Sequence, residues 1–120
     1  NAMISMRSKL KEDGKLIIVT AHPAFDFVNE NMETMTVKSE GDYVYSRKGL
    51  PMVYTHKTKG FFLRDYHWMI EDYVECIKKA GLTIDNILEP MPLPESKKIN
   101  PKLYLAKLTF PQYMIFICKR

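Results

Sequence analysis

The sequence has little glycine and cysteine and no long apolar run, and each shortage excludes a class of protein. Its five glycines are isolated from one another, so they form neither a G-x-G-x-x-G dinucleotide loop nor a P-loop. The two cysteines, Cys76 and Cys118, are far apart in apolar surroundings, which indicates buried thiols rather than a disulfide framework. The longest apolar run, residues 113–118, is far shorter than the roughly 20 residues of a membrane helix.

Sequence patterns for metal and nucleic-acid binding are also missing. His22, His56 and His67 are widely separated and no C-x-x-C pair occurs, so we expect no metal site. The formal net charge is only +4 and basic residues cluster as pairs, so a nucleic-acid partner is not expected. Residues 5–13 are polar and charged where a targeting segment would be apolar, which predicts a cytoplasmic protein.

The remaining residues predict one α/β domain over residues 3–120, since Asn1 and Ala2 resemble the remainder of an expression tag. Residues 16–19 are apolar without alternation, and so are residues 114–118. Runs of this kind are typical of strands that are buried on both faces.

A helix and a hairpin are predicted between those two runs. The helix has apolar residues at positions i, i+3, i+4 and i+7, namely Ile70, Tyr73, Val74 and Ile77. Gly81 is suited to end it, and residues 82–88 predict the next strand. Residues 42–45 and 52–58 are rich in β-forming residues around a Gly- and Pro-containing turn, which predicts a β-hairpin.

Candidate site residues lie at the ends of these elements. His22 follows the first predicted strand, and ligands of open α/β sheets collect beyond the carboxyl ends of strands, so His22 and Phe25 are candidates. Alternatively, His22 hydrogen-bonds a loop and Phe25 packs in the core.

Aromatic residues around the hairpin give a second group of candidates. Tyr66, His67 and Trp68 are suited to form an aromatic wall with a titratable imidazole. A packed helix entry capped by Asp65 explains this cluster as well. Tyr43 and Tyr54 are suited to contact a ligand, although cross-strand packing explains them equally.

Several short segments resemble class I S-adenosylmethionine-dependent methyltransferases. Residues 10–18, LKEDGKLII, resemble the family's helix–turn–strand segment LKPGGxLII. His22-Pro23 resembles the HP that follows that strand in small-molecule-modifying members, and Glu89-Pro90 resembles the EP that closes a later strand. Further landmarks follow the family's order along nearly the whole chain: Tyr66-His67, Tyr73 with Ala80-Gly81-Leu82, and the final strand at residues 112–120.

The resemblance implies a partial Rossmann-like methyltransferase sheet with an inserted β-hairpin. It covers the C-terminal, substrate-side half of that fold, whose final strand is antiparallel and lies between the two strands before it. The half that carries the family's glycine-rich cofactor loop has no counterpart in the sequence. S-adenosylmethionine therefore belongs to the full-length family, and we expect no cofactor-binding residue in this chain.

The resemblance also assigns roles to the candidate residues. The segment between the landmark blocks shapes substrate selection in the family, which places five aromatic residues near a small-molecule methyl acceptor: Phe25, Tyr43, Tyr54, Tyr66 and Trp68. Methyl transfer requires alignment of the acceptor and sometimes a base, and His22 and His67 are the candidates for that base.

Two functions from different classes follow from these observations. The first is a C-terminal fragment of a methyltransferase that is inactive alone. The second is a non-catalytic module that binds a partner. Residues 16–19 would form an uncovered sheet edge, and an unpaired apolar edge recruits another strand, so we predict a homodimer or strand exchange.

Overall fold

The computed structural model describes residues 2–27 and 35–120, which form two three-stranded antiparallel sheets with helices around them. In chain order the elements are α1 (Ala2–Lys9), β1 (Lys15–Ala21), a 3-10 helix (Pro23–Phe27), β2 (Met35–Ser39), β3 (Leu50–His56), β4 (Phe62–His67), α2 (Ile70–Lys79), β5 (Thr83–Leu88), α3 (Ser96–Ile99), α4 (Pro101–Thr109) and β6 (Tyr113–Lys119). Within these ranges, no helix combines the length and the apolar character needed to cross a bilayer.

The first sheet has the strand order β1-β6-β5, with β6 antiparallel to both neighbours. Ile18 pairs with Phe116, and Ile84 pairs with Cys118. This is the placement that the resemblance predicts for the final strand. Because β1 and β5 are both antiparallel to β6, they run in the same direction and their carboxyl ends lie at one edge of the sheet.

One face of the first sheet forms the main core. Alternate residues of β6, Met114, Phe116 and Cys118, are fully buried there, and Ile77 of α2 packs against them. The ring of Tyr73 stacks on Phe116 with 6.0 Å between the ring centroids. Helix α2 therefore lies on this face through the apolar stripe that its sequence periodicity predicts.

The other face of the first sheet is more open, and the prediction that β1 is buried on both faces is wrong. The side chains of Ile17 and Val19 are 62% and 59% exposed, whereas Leu16 and Ile18 pack against the main core. Successive side chains of a strand point to opposite faces, so residues packed by α1 and α2 alternate with residues that these helices do not reach. In β6 the same alternation leaves Ile115 and Ile117 half-buried.

The second sheet has the strand order β2-β3-β4 and replaces the simple hairpin that we predicted. Residues 42–45 are not a strand, and β2 pairs with β3 instead, with Val37 opposite Tyr54. The rings of Tyr43 and Tyr45 both pack edge-on against His67, which takes this segment out of the sheet. Val37 is buried with two β3 residues, Leu50 and Met52, in a core of its own.

The aromatic segment before α2 is strand β4 rather than the entry to a helix. Asp65 therefore does not cap α2, and its side chain accepts a hydrogen bond from the backbone N–H of Tyr66. The cap comes from Asp72, whose Oδ2 accepts the backbone N–H of Met69 at 2.9 Å. Its Oδ1 is 2.6 Å from Lys48 Nζ, which ties the loop before β3 to the first turn of α2.

Helix α4 begins at a proline that follows a capping asparagine. Pro101 occupies its first turn, and Asn100 Oδ1 accepts the N–H of Leu103 at 2.9 Å as the N-cap. The inner side of α4 contacts Phe25 of the 3-10 helix, through Leu103 and Ala106. The segment after β1 is thereby held beside the carboxyl edge of the first sheet.

Candidate functional site

The carboxyl ends of β1 and β5 bring a histidine and a glutamate together. His22, just beyond β1, has its Nε2 atom 2.8 Å from Oε1 of Glu89, just beyond β5. The His22 side chain is only 7% exposed, whereas the Glu89 side chain is 53% exposed. The ring is therefore part of the interior, and the carboxylate is the member of the pair that meets solvent.

Hydrogen bonds around His22 fix the orientation of its ring. Nδ1 accepts the backbone N–H of Ala24 at 3.0 Å, so the ring proton lies on Nε2 and is donated to Glu89. The backbone N–H of His22 donates to the carbonyl oxygen of Gln112 at 3.0 Å. In this arrangement the imidazole is neutral, and the pair carries the single negative charge of the carboxylate.

His67, the other candidate base, lies inside the second sheet region. Its ring is buried, with Nε2 2.7 Å from the carbonyl oxygen of Tyr45 and Nδ1 3.3 Å from the hydroxyl of Tyr43. The Tyr43 and Tyr45 rings lie edge-on to it, with centroid distances of 5.1 and 5.4 Å. Both ring nitrogens thus face groups of the protein itself.

Tyr43 contacts one candidate histidine and the backbone beside the other. Besides its contact with His67, its hydroxyl lies 3.4 Å from the carbonyl oxygen of Pro23, the residue after His22. The Tyr43 hydroxyl therefore lies between His67 and the backbone just after His22, three separate parts of the sequence.

The other predicted aromatic residues lie in different surroundings. Phe25 is buried against α4, which matches its alternative interpretation as a packing residue. Tyr54 is half-buried in the core of the second sheet. Tyr66 and Trp68 are exposed, and Trp68 lines a cavity of about 450 Å³ together with Met3 and Tyr73. Contact of these residues with a substrate stays a prediction.

A groove begins beside the His22–Glu89 pair. Its volume is about 410 Å³, and its wall starts at Pro90, the residue after Glu89. Gln112, which holds the backbone of His22, also lines it. The remaining lining is largely apolar and comes from the chain after β5, from α3 and α4, and from the start of β6: Met91, Pro92, Leu93, Ser96, Ile99, Asn100, Leu103, Tyr104, Lys107 and Tyr113.

Sequence reasoning missed Glu89 as a site residue and used it only as a landmark. Its position offered a signal, because it closes a strand parallel to β1 and so reaches the sheet edge where His22 lies. A polar residue directly after each of two such strands predicts that the two side chains lie close together.

The glycines of the described residues do not form a glycine-rich cofactor loop. A cofactor loop of this type joins a strand to a helix through several glycines. Gly14 and Gly81 instead lie in turns that lead from a helix to a strand, and Gly41, Gly49 and Gly60 lie in the connections of the second sheet. The part of the chain that the structure describes also contains no group of three His, Cys, Asp or Glu residues able to hold a metal ion.

Comparison with known proteins relates this fold to methyltransferases. No protein-family model matches the sequence, and no curated protein does. An S-adenosylmethionine-dependent methyltransferase from Mesorhizobium loti overlays with a TM-score of 0.66 and 19% identity, over 98% of this chain and 53% of its own. One from Clostridium acetobutylicum overlays with a TM-score of 0.50 and 12% identity, over 98% of this chain and 48% of its own.

These overlays establish the fold of the chain. At such low identity they show shared architecture, and the chain spans about half the length of the structures that it matches. The predicted resemblance to S-adenosylmethionine-dependent methyltransferases is thus confirmed at the level of fold. The chain has the architecture of about half of such a protein.

Proposed function

We propose that this chain is the C-terminal, substrate-side half of an S-adenosylmethionine-dependent methyltransferase that acts on a small molecule. The overlay of 98% of the chain on about half of such a protein is the observation that carries the proposal. The ordered sequence landmarks at residues 10–18, His22-Pro23 and Glu89-Pro90 support it. In this proposal the chain is inactive alone, because its described residues do not fit a cofactor loop.

The chain's contribution to the reaction is to bind and orient the acceptor and to accept its proton. His22 and Glu89 act together, since the neutral ring donates to one carboxylate oxygen and thereby orients the exposed carboxylate toward the acceptor. A carboxylate placed within hydrogen-bond reach of a hydroxyl or amine is suited to take up its proton. His67 is the second candidate base, with its ring nitrogens facing the Tyr43 hydroxyl and the Tyr45 carbonyl oxygen.

The cofactor part of the proposal is tested by calorimetric titration of this chain with S-adenosylmethionine. We expect no heat of binding, because the described residues do not fit a cofactor loop. Tight one-to-one binding would show that the cofactor site lies within this chain and would overturn the assignment to a substrate-side half.

The catalytic part is tested in a longer form that also carries a glycine-rich cofactor half, by transfer of a radiolabelled methyl group to small molecules. We expect His22→Ala and Glu89→Ala to lower the rate by about 100-fold, the lower end for a general base. Glu12→Ala, which removes an exposed carboxylate from the turn before β1, is the control. Full activity after loss of both His22 and His67 would contradict the assignment of either histidine as a base.

A second candidate function, a partner-binding module that forms a homodimer, is favoured by the exposed edge strand β1. The strand lies at the end of the first sheet, and the side chains of Ile17 and Val19 are exposed. Unpaired backbone groups beside apolar side chains are suited to pair with a strand from a second copy.

Light scattering across a concentration series tests this alternative. Val19→Lys is expected to shift a dimer toward monomer without unfolding the chain, because the side chain is already exposed. Leu105→Lys, at an equally exposed site on α4, is the control. A monomer at the highest concentration reached would exclude the homodimer.

A further inference from the structure

We propose that the groove lined by α3, α4 and the chain after β5 binds a small apolar molecule with one carboxylate, which pairs with Lys107. Such binding is separate from the proposed function, since it holds whether or not the chain takes part in methyl transfer. Three features of the groove support it: the apolar lining, the charged side chain in that lining, and the positive charge of the segment that carries it.

The groove offers an apolar ligand both space and contact surface. Its volume of about 410 Å³ lies within the roughly 300–1,000 Å³ that is usual for small-molecule sites. Leu103 and Tyr104 line it from α4. Met91 and Leu93 line it from the chain after β5, and both are exposed. A ligand that covers these side chains removes apolar surface from water on both partners, which is favourable in proportion to the area covered.

Lys107 is the charged residue among the described residues that line the groove. It is half-buried on α4, and within the described chain no carboxylate pairs with its ammonium group. Glu89 precedes Pro90 of the wall but lies outside the lining, and its Oε1 is engaged by His22. A ligand carboxylate therefore meets a positive charge that lacks an ion-pair partner, and hydrogen bonds between charged partners are stronger than neutral ones.

Neutral polar side chains of the groove also suit a ligand that accepts hydrogen bonds. The Tyr113 hydroxyl accepts a hydrogen bond from Gln112 Nε2 at 3.2 Å, so its own proton is available to a ligand oxygen. Asn100 Oδ1, an acceptor in the lining, is already engaged by the backbone N–H of Leu103 at 2.9 Å. Both arrangements favour a carboxylate over a group that donates hydrogen bonds.

The segment that carries Lys107 is positively charged as a whole. Residues 95–109, which include α3 and α4, contain four lysines and one glutamate and so have a formal net charge of +3. Clustered charge of one sign raises the local concentration of ions of the opposite sign. The segment therefore attracts an anionic ligand to the groove and repels an apolar amine.

The experiment titrates the isotopically labelled chain with three probes of one shape and follows backbone amide shifts by NMR. The probes are the anionic phenylacetate, the neutral 2-phenylethanol and the cationic 2-phenylethylamine, used near neutral pH, at which a carboxylic acid is ionised. We expect phenylacetate to give saturable shifts at groove residues such as Leu93 and Tyr104, with the highest affinity of the three. Lys107→Met should weaken its binding about fivefold and leave that of 2-phenylethanol unchanged, whereas Lys107→Arg, which keeps the charge, should retain it.

Lys102→Met is the matched control, because it removes the same charge from an exposed position of α4 outside the groove lining. Phenylacetate binding that is weakened by Lys107→Met and not by Lys102→Met supports the proposal. Equal effects of the two substitutions, stronger binding of 2-phenylethylamine, or shifts that do not saturate would each overturn it. Groove shifts on dilution without any probe would show that a second copy of the chain occupies the groove, and would also overturn it.

Discussion

Replacement of Asp72 by Ala is expected to destabilise the chain by about 2 kcal/mol. One oxygen of Asp72 accepts the Met69 N–H at the start of α2, and the other pairs with Lys48. The hydrogen bond contributes about 1 kcal/mol. The ion pair and the negative charge at a helix start contribute about 0.5 kcal/mol each. For a chain of this size, each kcal/mol of lost stability lowers the melting temperature by about 4 °C, so a fall of about 8 °C is expected.

Two further variants separate these contributions in urea denaturation. Asp72→Asn keeps an acceptor for the Met69 N–H but removes the charge. It should therefore lose about half of the stability that Asp72→Ala loses. Lys48→Met removes the ion pair from the other side. The double variant should show a coupling of about 0.5 kcal/mol between the two positions, measured as the departure from additivity.

Acid should remove the contribution of the charge. The hydrogen bond from Lys48, assisted by that from the Met69 N–H, holds the pKa of Asp72 below its ordinary value. A lowered native pKa means that the unfolded chain takes up the proton first as the pH falls. The unsubstituted chain should therefore have a higher free energy of unfolding than Asp72→Asn. This difference is complete near pH 6 and shrinks below about pH 4. An advantage of equal size at pH 6 and pH 2.5, or no effect of Asp72→Ala, would refute the reasoning.

Three further outcomes test the packing of the first sheet and α4. Phe116→Ala should cost about 4 kcal/mol in urea denaturation, because the ring is fully buried and stacks on Tyr73. Asn100→Ala should cost about 1 kcal/mol by removal of the N-cap of α4, and Asn100→Asp should restore it. Burial raises the pKa of the Cys118 thiol, so a thiol reagent at pH 8 should label Cys76 first and Cys118 only on unfolding.

The sequence predicted the elements whose signals are local. The amphipathic spacing of Ile70, Tyr73, Val74 and Ile77 located α2 because one stripe of a helix faces the core, and that relation holds without knowledge of the neighbours. The positive φ of Gly81, 76°, is likewise a local requirement of the turn into β5.

The features that the sequence did not predict depend on tertiary contacts between residues that are distant in the sequence. Residues 42–45 have β-forming side chains, yet two tyrosine rings there pack on His67. The apolar run at residues 16–19 indicated strand correctly, but it could not indicate whether both faces are covered. Glu89 was not predicted as a partner of His22, since the two meet through strand order across an antiparallel neighbour.

The open face of the first sheet connects the fold to both candidate functions. Full burial of an isoleucine or valine side chain contributes about 2 kcal/mol, and Ile17 and Val19 are 62% and 59% exposed, so a polypeptide that covers both gains about 2.4 kcal/mol before association costs. A cofactor half and a second copy of the chain would both gain that free energy. They differ at the sheet's carboxyl edge, where a cofactor half must also place the reacting methyl group near His22 and Glu89, whereas a second copy has no such requirement. Substitutions at this edge should therefore affect methyl transfer, and substitutions at Ile17 and Val19 should affect association.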